Sequence, residues 1–448
     1  MDKFSNVVIG GGPGGRACAK ELAQRGLSVA LIEKNYPGGK AINQGYFVSK
    51  VFLEGAKNDN VETKEDFAEI VKLRKQTAQT SWKMDLEKAG VKVYSREASL
   101  QREDPQIINL KGGEDKQRVA GERIILATGS KPISPLNFAL NPQKNIISYQ
   151  ELLSGDYFDL DKIAILGGDV EGCEFATLYQ NLTGVEVYLI EQQSRLLPNC
   201  DSELARILTE KLALKGVRIN TNSTIKDYQL KDNNLKLQGK NLTTKEDFQL
   251  EVDVLLVTGG AEAYLPAGSE NLGFQLNDEG FVEVKEDFAT SVPGFYALGD
   301  LIGGITSANA AIMEGKALAA RIAGHELEVD YRNLPFVFFT DPLVTGIGWR
   351  EDDLNQDLIK KEDIVVKKAK FTENLRALTR GEGDGLLKLI ISQRRKTILG
   401  AQAIGPGGEE LQPLLTLLVS QQIPLEEISK LPLAHPSLAE LILQAVNN

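Results

Sequence analysis

Two histidines and three cysteines in 448 residues leave little material for metal or thiol chemistry. Cys18, Cys173 and Cys200 are widely spaced, which is neither a disulfide framework nor a zinc-binding pattern. Positive charge is outnumbered, with 51 Lys and Arg against 62 Asp and Glu. The formal net charge of -11 repels phosphate backbones and anionic lipid, and argues against nucleic-acid and membrane partners. No apolar run approaches the length needed to cross a bilayer. The opening residues "MDKFSNVVIG" run straight into a strand-like segment, so no signal peptide is expected. These absences together point to a reducing cytoplasm.

Glycine is what the chain has in quantity. Its 42 glycines cluster where apolar runs end, the pattern of tight strand-to-helix turns. The length suits two to four domains. Asn6 to Ile9 reads as a strand, Gly10 to Gly15 as a turn, Arg16 to Arg25 as a helix and Leu27 to Ile32 as a second strand closed by Glu33. This is strand, G-x-G-x-x-G, helix, strand, acid. Gly10 makes the tight turn, Gly12 lets the backbone approach a pyrophosphate, and Gly15 lets helix and strand pack closely. The phosphate would sit at the helix N-terminus, and Glu33 would accept hydrogen bonds from ribose hydroxyls. The alternative is a glycine turn in another α/β fold.

The pattern returns at Lys162 to Leu166, Gly167 to Gly172, and Val185 to Ile190 closed by Glu191. Here the middle glycine is replaced by Asp169, and Glu171 adds a second acid. A carboxylate about 4 Å from a phosphate charge costs about 4 kcal/mol at an effective dielectric near 20, before screening. Asp is also a good helix N-cap. The fold of this second unit therefore looks intact while its ligand is in doubt, and the cap reading of Asp169 outweighs the binding reading. Gly167, Gly172 and Glu191 would be the NAD contacts if one bound, with Glu191 favouring NADH over NADPH by repelling a 2′-phosphate.

Arg123 to Ala127 reads as a further strand, ending in Ala127, Thr128 and Gly129. "TSVPGFYALGDL" places Gly299 and Asp300 after an apolar run and before a helical stretch, where Asp300 is either a helix cap or an acceptor for a polyol hydroxyl. From Asp330 the texture turns strand-rich, and two helical runs follow, "GEELQPLLTLLVSQQ" and "HPSLAELILQAV". The expected fold class is α/β: two Rossmann-like dinucleotide-binding domains plus a C-terminal α+β domain, which a family resemblance in the same motifs implies to be of FAD type, of NAD type and for dimerisation. The expected boundaries are 1–150 for the first part of the FAD domain, 151–275 for the NAD-like domain, 276–330 for the FAD domain's return, and 331–448 for the C-terminal domain.

In this order the motifs resemble the flavoprotein pyridine nucleotide-disulfide oxidoreductases, in their dihydrolipoamide dehydrogenase-like form, nearly end to end. "VVIGGGPGG" with Glu33 and Lys34 resembles the FAD fingerprint, with Gly14 inside it. "ILATGSKP" resembles the strand returning beneath the flavin, and "VPGFYALGD" the second FAD motif with Asp300 on the ribityl chain. "LPFVFFTDPLVTGIG" and "AHPSLAE" resemble the dimer-interface domain, which implies a homodimer. "VTGGAEAYLP" departs from the Gly-Arg-x-Pro element that usually closes the NAD domain, with Gly260 at the Arg position.

The glycine-rich loop "GGKAINQGYFVSK", from Gly38 and Gly39 to Lys50, falls where the resemblance places two redox cysteines separated by four residues. In that register the positions are Ala41 and Tyr46, so both thiols are gone. Without a thiolate no attack on a substrate disulfide follows. Cys18 and Cys173 read as small buried hydrophobes on the helices after the glycine turns, and Cys200 as alone in a polar stretch. The resemblance also pairs Lys50 with Glu174 beside the flavin, and His435 with Glu440 as an acid–base dyad reaching across the dimer. Other readings are a surface lysine, an interface histidine, and Pro436 as the start of a helix. Tyr46 would cover the flavin face. The function expected is an FAD oxidoreductase without a redox disulfide, moving electrons from NAD(P)H or another donor to a quinone-like or other small acceptor. The alternatives are an FAD-bound scaffold or sensor, and a dehydrogenase-like component using a partner's thiols.

Overall fold

The computed structural model describes the chain except residues 44, 46, 48, 52–63, 113–116, 137, 154–159, 183, 232–233, 357–362 and 382. The chain forms two compact units. The first comprises Met1–Ser134, Tyr149–Phe158 and Gly260–Tyr331, and the second Pro135–Ser148, Asp159–Gly259 and Arg332–Asn448. Among the described residues no helix is long and apolar enough to cross a membrane, and no cluster of His, Cys, Asp and Glu could hold a metal ion.

The first unit is built on a sheet in the order Lys92–Tyr94, Val29–Ile32, Asp2–Ile9, Arg118–Leu126, Ile107–Lys111, Glu97–Ser99, with Phe295–Ala297 also paired to Arg118–Leu126. Its central strands are parallel. A parallel strand covered on both faces must be apolar at successive positions, which is what "VVI" and "VALI" supply. The alternation of side chains sorts them to two cores. Val7, Ile9, Ala30, Ile32, Ile124 and Leu126 pack on one face. Val8, Val29, Leu31 and Ile125 pack on the other, with Cys18, Ala19 and Leu22 of α1 (Pro13–Gln24) and Leu318 of the helix Ala308–Ile322. These two helices touch at glycines, since a Cβ on Gly315 would lie 2.4 Å from the Gly14 carbonyl oxygen. A short helix α2 (Gly39–Asn43) and a long one, α3 (Lys64–Lys88), follow the second strand.

The second unit contains a second parallel sheet, in the order Arg218–Asn220, Glu186–Ile190, Lys162–Leu166, Val254–Val257, Ile146–Ile147. The helix α4 (Val170–Gln180) follows its glycine turn and α5 (Ser202–Leu214) its acid-closed strand. Two Rossmann-like sheets are thus present, as the repeated turn implied. The C-terminal part is an antiparallel sheet, Phe336–Phe338, Val344–Gly348, Thr397–Ile404, Leu386–Ser392, Ile364–Lys370, covered by helices Gln412–Ser420 and Glu440–Asn447 around a core that includes Phe371, Leu389, Ile398, Leu415 and Leu441.

One expectation is corrected here. The last helix begins at Glu440, not at Pro436, so Pro436 does not start it. The segment before it is held in a turn because the Ser437 N–H donates to Glu440 Oε2 at 2.9 Å. Cys200 lies in a polar stretch of sequence but is only 2% exposed. Neighbouring Leu196, Leu197 and Leu204 are buried too, so the segment folds inward.

Candidate dinucleotide sites

The first glycine turn has the geometry its sequence asked for. Gly10 takes φ +107°, and a Cβ there would lie 2.3 Å from the Ala127 carbonyl oxygen, so only glycine fits. A Cβ on Gly15 would lie 2.0 Å from the Gly10 oxygen, which makes α1 and its strand close neighbours. Gly12 is the N-cap of α1 and provides no side-chain cap. A Cβ on Gly12 would meet nothing nearer than Gly39 Cα at 3.9 Å. The helix N-terminus thus has no side-chain cap on its N–H groups, with the Gly39 backbone at van der Waals distance, an arrangement that favours an anion.

Around that turn the other sequence-selected residues fall into place. Glu33 is 7% exposed; its Oε2 accepts the Gly11 N–H at 2.7 Å and its Oε1 the Asn35 N–H at 2.9 Å. Each oxygen keeps a second acceptor direction for a ribose hydroxyl. Lys34 donates to the Tyr264 hydroxyl at 3.0 Å and lies over its ring. The Ala127 N–H donates to the Ile9 carbonyl, and Gly129 takes φ +75°. Thr128 Oγ1 is buried and finds no hydrogen-bond partner among the described residues. A buried hydroxyl without a partner costs about 1–3 kcal/mol, so a ligand that supplies one is favoured. Uncapped helix end and orphaned hydroxyl together fit a dinucleotide pyrophosphate.

The second motif supplies Gly299 and Asp300. The Gly299 N–H donates at 2.6 Å to Glu314 Oε2, and the Tyr331 hydroxyl donates at 3.0 Å to Glu314 Oε1. Burial raises the Glu314 carboxyl above its ordinary range, against the pull of these two hydrogen bonds. Glu314 positions the loop carrying Asp300 and was not singled out from the sequence. Its signal was a lone acid in the small-residue helix "ANAAIMEGKALAARI". Lys40 was missed as well: it donates to Ser130 Oγ at 2.8 Å and lies 3.5 Å from Asp300 Oδ2.

The loop where the family resemblance places a dithiol carries no sulfur, and its described residues are held by hydrogen bonds. Ala41 lies in α2, and Asn43 is clamped from α3: Lys75 donates to its carbonyl at 2.7 Å and Gln79 to its Oδ1 at 2.6 Å. Burial lowers the Lys75 pKa there. The Ser49 N–H donates to the Gly45 carbonyl, and Lys50 follows, half-buried. Tyr46 lies outside the described residues. All three cysteines are buried, and burial pushes the thiols of Cys18 and Cys200 up to about 12. Cys173 is raised too, by burial and then by Asp169, Glu191 and Glu174. None of the three provides a thiolate near neutral pH.

The second turn repeats the first in its backbone and differs in its polar groups. Gly167 takes φ +114°, and a Cβ on Gly172 would lie 1.7 Å from the Gly167 oxygen. Glu191 accepts from the Gly168 N–H and, at 2.6 Å, from the Gln193 N–H, as Glu33 does from Gly11 and Asn35. But Asp169 is the N-cap of α4 and its exposed carboxylate accepts the Val170 N–H at 2.8 Å. Thr258, whose N–H donates to the Leu166 carbonyl as that of Ala127 does to Ile9, also donates its hydroxyl to the Leu166 and Gly167 carbonyls at 3.0 and 3.2 Å. The helix end that has no side-chain cap in the first turn is capped from within in the second.

Of the remaining candidates, His435 and Glu440 come together, with Nδ1 and Oε1 2.9 Å apart. The hydrogen bond from His435 holds the Glu440 carboxyl below its ordinary range, with help from the Ser437 N–H. The His435 side chain is two-thirds exposed, so its other nitrogen faces outward from this chain. Glu174, on α4, is 7% exposed and accepts the Phe339 N–H at 2.8 Å.

Residues 4–315 match the family described as pyridine nucleotide-disulphide oxidoreductase, and residues 334–446 match the dimerisation domain of the same family. The chain belongs to this family. Among curated members, the dihydrolipoyl dehydrogenase of Geobacillus stearothermophilus is 30% identical over 464 residues, covering 98% of this chain and 94% of that protein. That of Staphylococcus aureus is 30% identical over 458 residues, covering 98% and 95%. Among solved structures, the Cu(II) complex of the HOCl-induced flavoprotein disulfide reductase RclA from Escherichia coli superposes with a TM-score of 0.86 at 24% identity, covering 100% of this chain and 99% of that one. This last likeness shows that the fold is shared along the whole length.

Proposed function

We propose that this family member is an FAD-dependent oxidoreductase that works without a redox disulfide. One pair of facts carries the reading: an uncapped, partly unsatisfied dinucleotide turn in the first unit, and Ala41 with three buried, protonated thiols where sulfur chemistry would be needed. Bound FAD supplies hydride and electron transfer, from NADH, NADPH or another donor to a quinone-like or other small acceptor. Gly10, Gly12, Gly14 and Gly15 form the pyrophosphate turn. Glu33 and Lys34 receive the adenosine ribose, Gly39 and Ala127 to Gly129 line the same cradle, and Gly299 and Asp300 receive the ribityl chain. Lys50 and Glu174 are the charged pair assigned to the ring by family resemblance, with Tyr46 as its cover. His435 and Glu440 serve a second copy of the chain in a homodimer, consistent with the dimerisation-domain match. The protein is placed in the cytoplasm.

Anaerobic titration of the purified yellow protein with NADH and with NADPH tests this reading. Bleaching of the flavin band by either, followed by reoxidation with a quinone and no turnover of lipoamide, is the expected result. Rapid lipoamide reduction, or a protein that does not take up FAD, refutes it. A second reading, a flavin-bound scaffold or sensor, is favoured by one observation: Asp169 caps the helix end of the second turn from within. Under that reading neither nicotinamide bleaches the band and no acceptor turns over. Thiols lent by a partner protein would instead show as lipoamide turnover only when the partner is added.

A further inference from the structure

We propose that Lys40 is the cation that recognises the dinucleotide's pyrophosphate in the first-turn site. The inference rests on the FAD reading and adds to it a residue that neither glycine motif contains. Its placement comes from the backbone. The Gly38 N–H donates to the Gly11 carbonyl at 2.8 Å, and a Cβ on Gly39 would lie 2.7 Å from Gly12 Cα. The loop is thus pressed against the N-cap of α1, and Lys40 starts one residue beyond that contact. Its ammonium donates to Ser130 Oγ at 2.8 Å, lies 3.5 Å from Asp300 Oδ2 and 5.7 Å from the Tyr149 ring centre. Ser130 is buried and stands two residues after the orphaned Thr128 hydroxyl.

The charge balance gives this cation its purpose. Apart from Lys34, which is engaged by Tyr264, the other charged side chains around the turn and the second motif are negative: Glu33 against Gly11, Asp300 on the second motif, and Glu314 behind Gly299. A ligand with two phosphate charges entering among these carboxylates needs more than a helix end to offset them. Lys40 is three-quarters buried, where an ammonium–phosphate contact is screened less than at the surface. A competing possibility has the opposite sign: Lys40 and Asp300 would form a plug that the cofactor must break.

The two are separated by FAD binding to protein stripped of cofactor, measured by calorimetry at two ionic strengths for the wild type, Lys40→Gln and Lys40→Arg. Loss of one charge-assisted hydrogen bond predicts a Kd for Lys40→Gln weaker by about ten- to hundredfold, with a shallower salt dependence. Lys40→Arg should stay within about threefold of the wild type. A Lys40→Gln protein that binds FAD equally well or more tightly refutes the role. So does one that binds weakly with an unchanged salt dependence and a lowered melting temperature of the apoprotein, the mark of a structural ion pair. Failure of the wild type to bind FAD refutes the cofactor reading itself, whereas an unchanged Lys40→Gln refutes only the lysine.

Discussion

Replacing Asp169 by glycine should open the second turn to a nicotinamide dinucleotide. The carboxylate sits over the N-terminus of α4 and accepts the Val170 N–H, the place a pyrophosphate occupies in an uncapped turn. It is exposed, so the aqueous end of the Coulomb range applies, about 1 kcal/mol for each phosphate charge at ~4 Å. Two phosphate charges make that about 2 kcal/mol, or roughly thirtyfold in affinity. The fold should tolerate the change. Residue 169 has φ −78° and ψ −171°, ordinary extended backbone, and an Asp-to-Gly change at an N-cap costs only a few tenths of a kcal/mol. Asp169→Asn is the companion variant, since it keeps the cap and the volume and removes only the charge. NADH and NADPH affinities would be measured by fluorescence titration of the holoprotein. NADH should gain about thirtyfold with Gly and most of that with Asn, and should exceed NADPH because Glu191 remains in place. If neither variant improves NADH binding by more than about threefold, the carboxylate is not what closes the turn.

Three further outcomes follow from the same structure. Lys388 is 1% exposed and within 3.0 Å of Asp201, Glu203 and Glu351, with Asp201 fully buried. Lys388→Ala strands that buried carboxylate and should cost about 3–5 kcal/mol, seen as a lower first melting transition; an unchanged transition would show the cluster to be neutral. Burial raises the Asp353 carboxyl, but hydrogen bonds from Arg350, aided by Arg332, outweigh it and hold the group below its ordinary value. Its stabilisation is therefore complete above about pH 4 and is lost as pH falls through the lower folded value, so Asp353→Asn should flatten the acid limb of a melting-temperature profile. Finally, Ala41→Cys with Tyr46→Cys together should confer measurable reduction of lipoamide or a dye disulfide, and a double variant that binds FAD yet reduces neither would show that more than sulfur is missing.

Much of the fold was legible because its signals are local. The turn Gly10 to Gly15 and its repeat at Gly167 announce themselves by spacing, and "VVI" and "VALI" by apolar continuity. That the loop 38–50 holds no cysteine is plain in the sequence, and that a dithiol would stand at 41 and 46 is what the family resemblance implies. The misjudged or silent places were those where another residue intervenes. Pro436 looked like a helix start until Glu440 captured the Ser437 N–H, and the polar stretch around Cys200 gave no sign that it is buried with its neighbouring leucines. Lys388 sits in "LLKLIIS", a strand buried at every position, where period alone gives no warning that a charge lies inside.

By itself, then, the sequence determined the two glycine turns, their closing acids and the absence of a thiol pair, because each depends on spacing along the backbone. Only the tertiary structure decided which turn is left wanting a ligand. Thr258 stands where the first turn has Ala127, and its hydroxyl donates to Leu166 and Gly167, whereas Thr128, one residue further along, has an orphaned hydroxyl. Whether a polar group is satisfied depends on what faces it across space, and residue order does not contain that until the chain has folded.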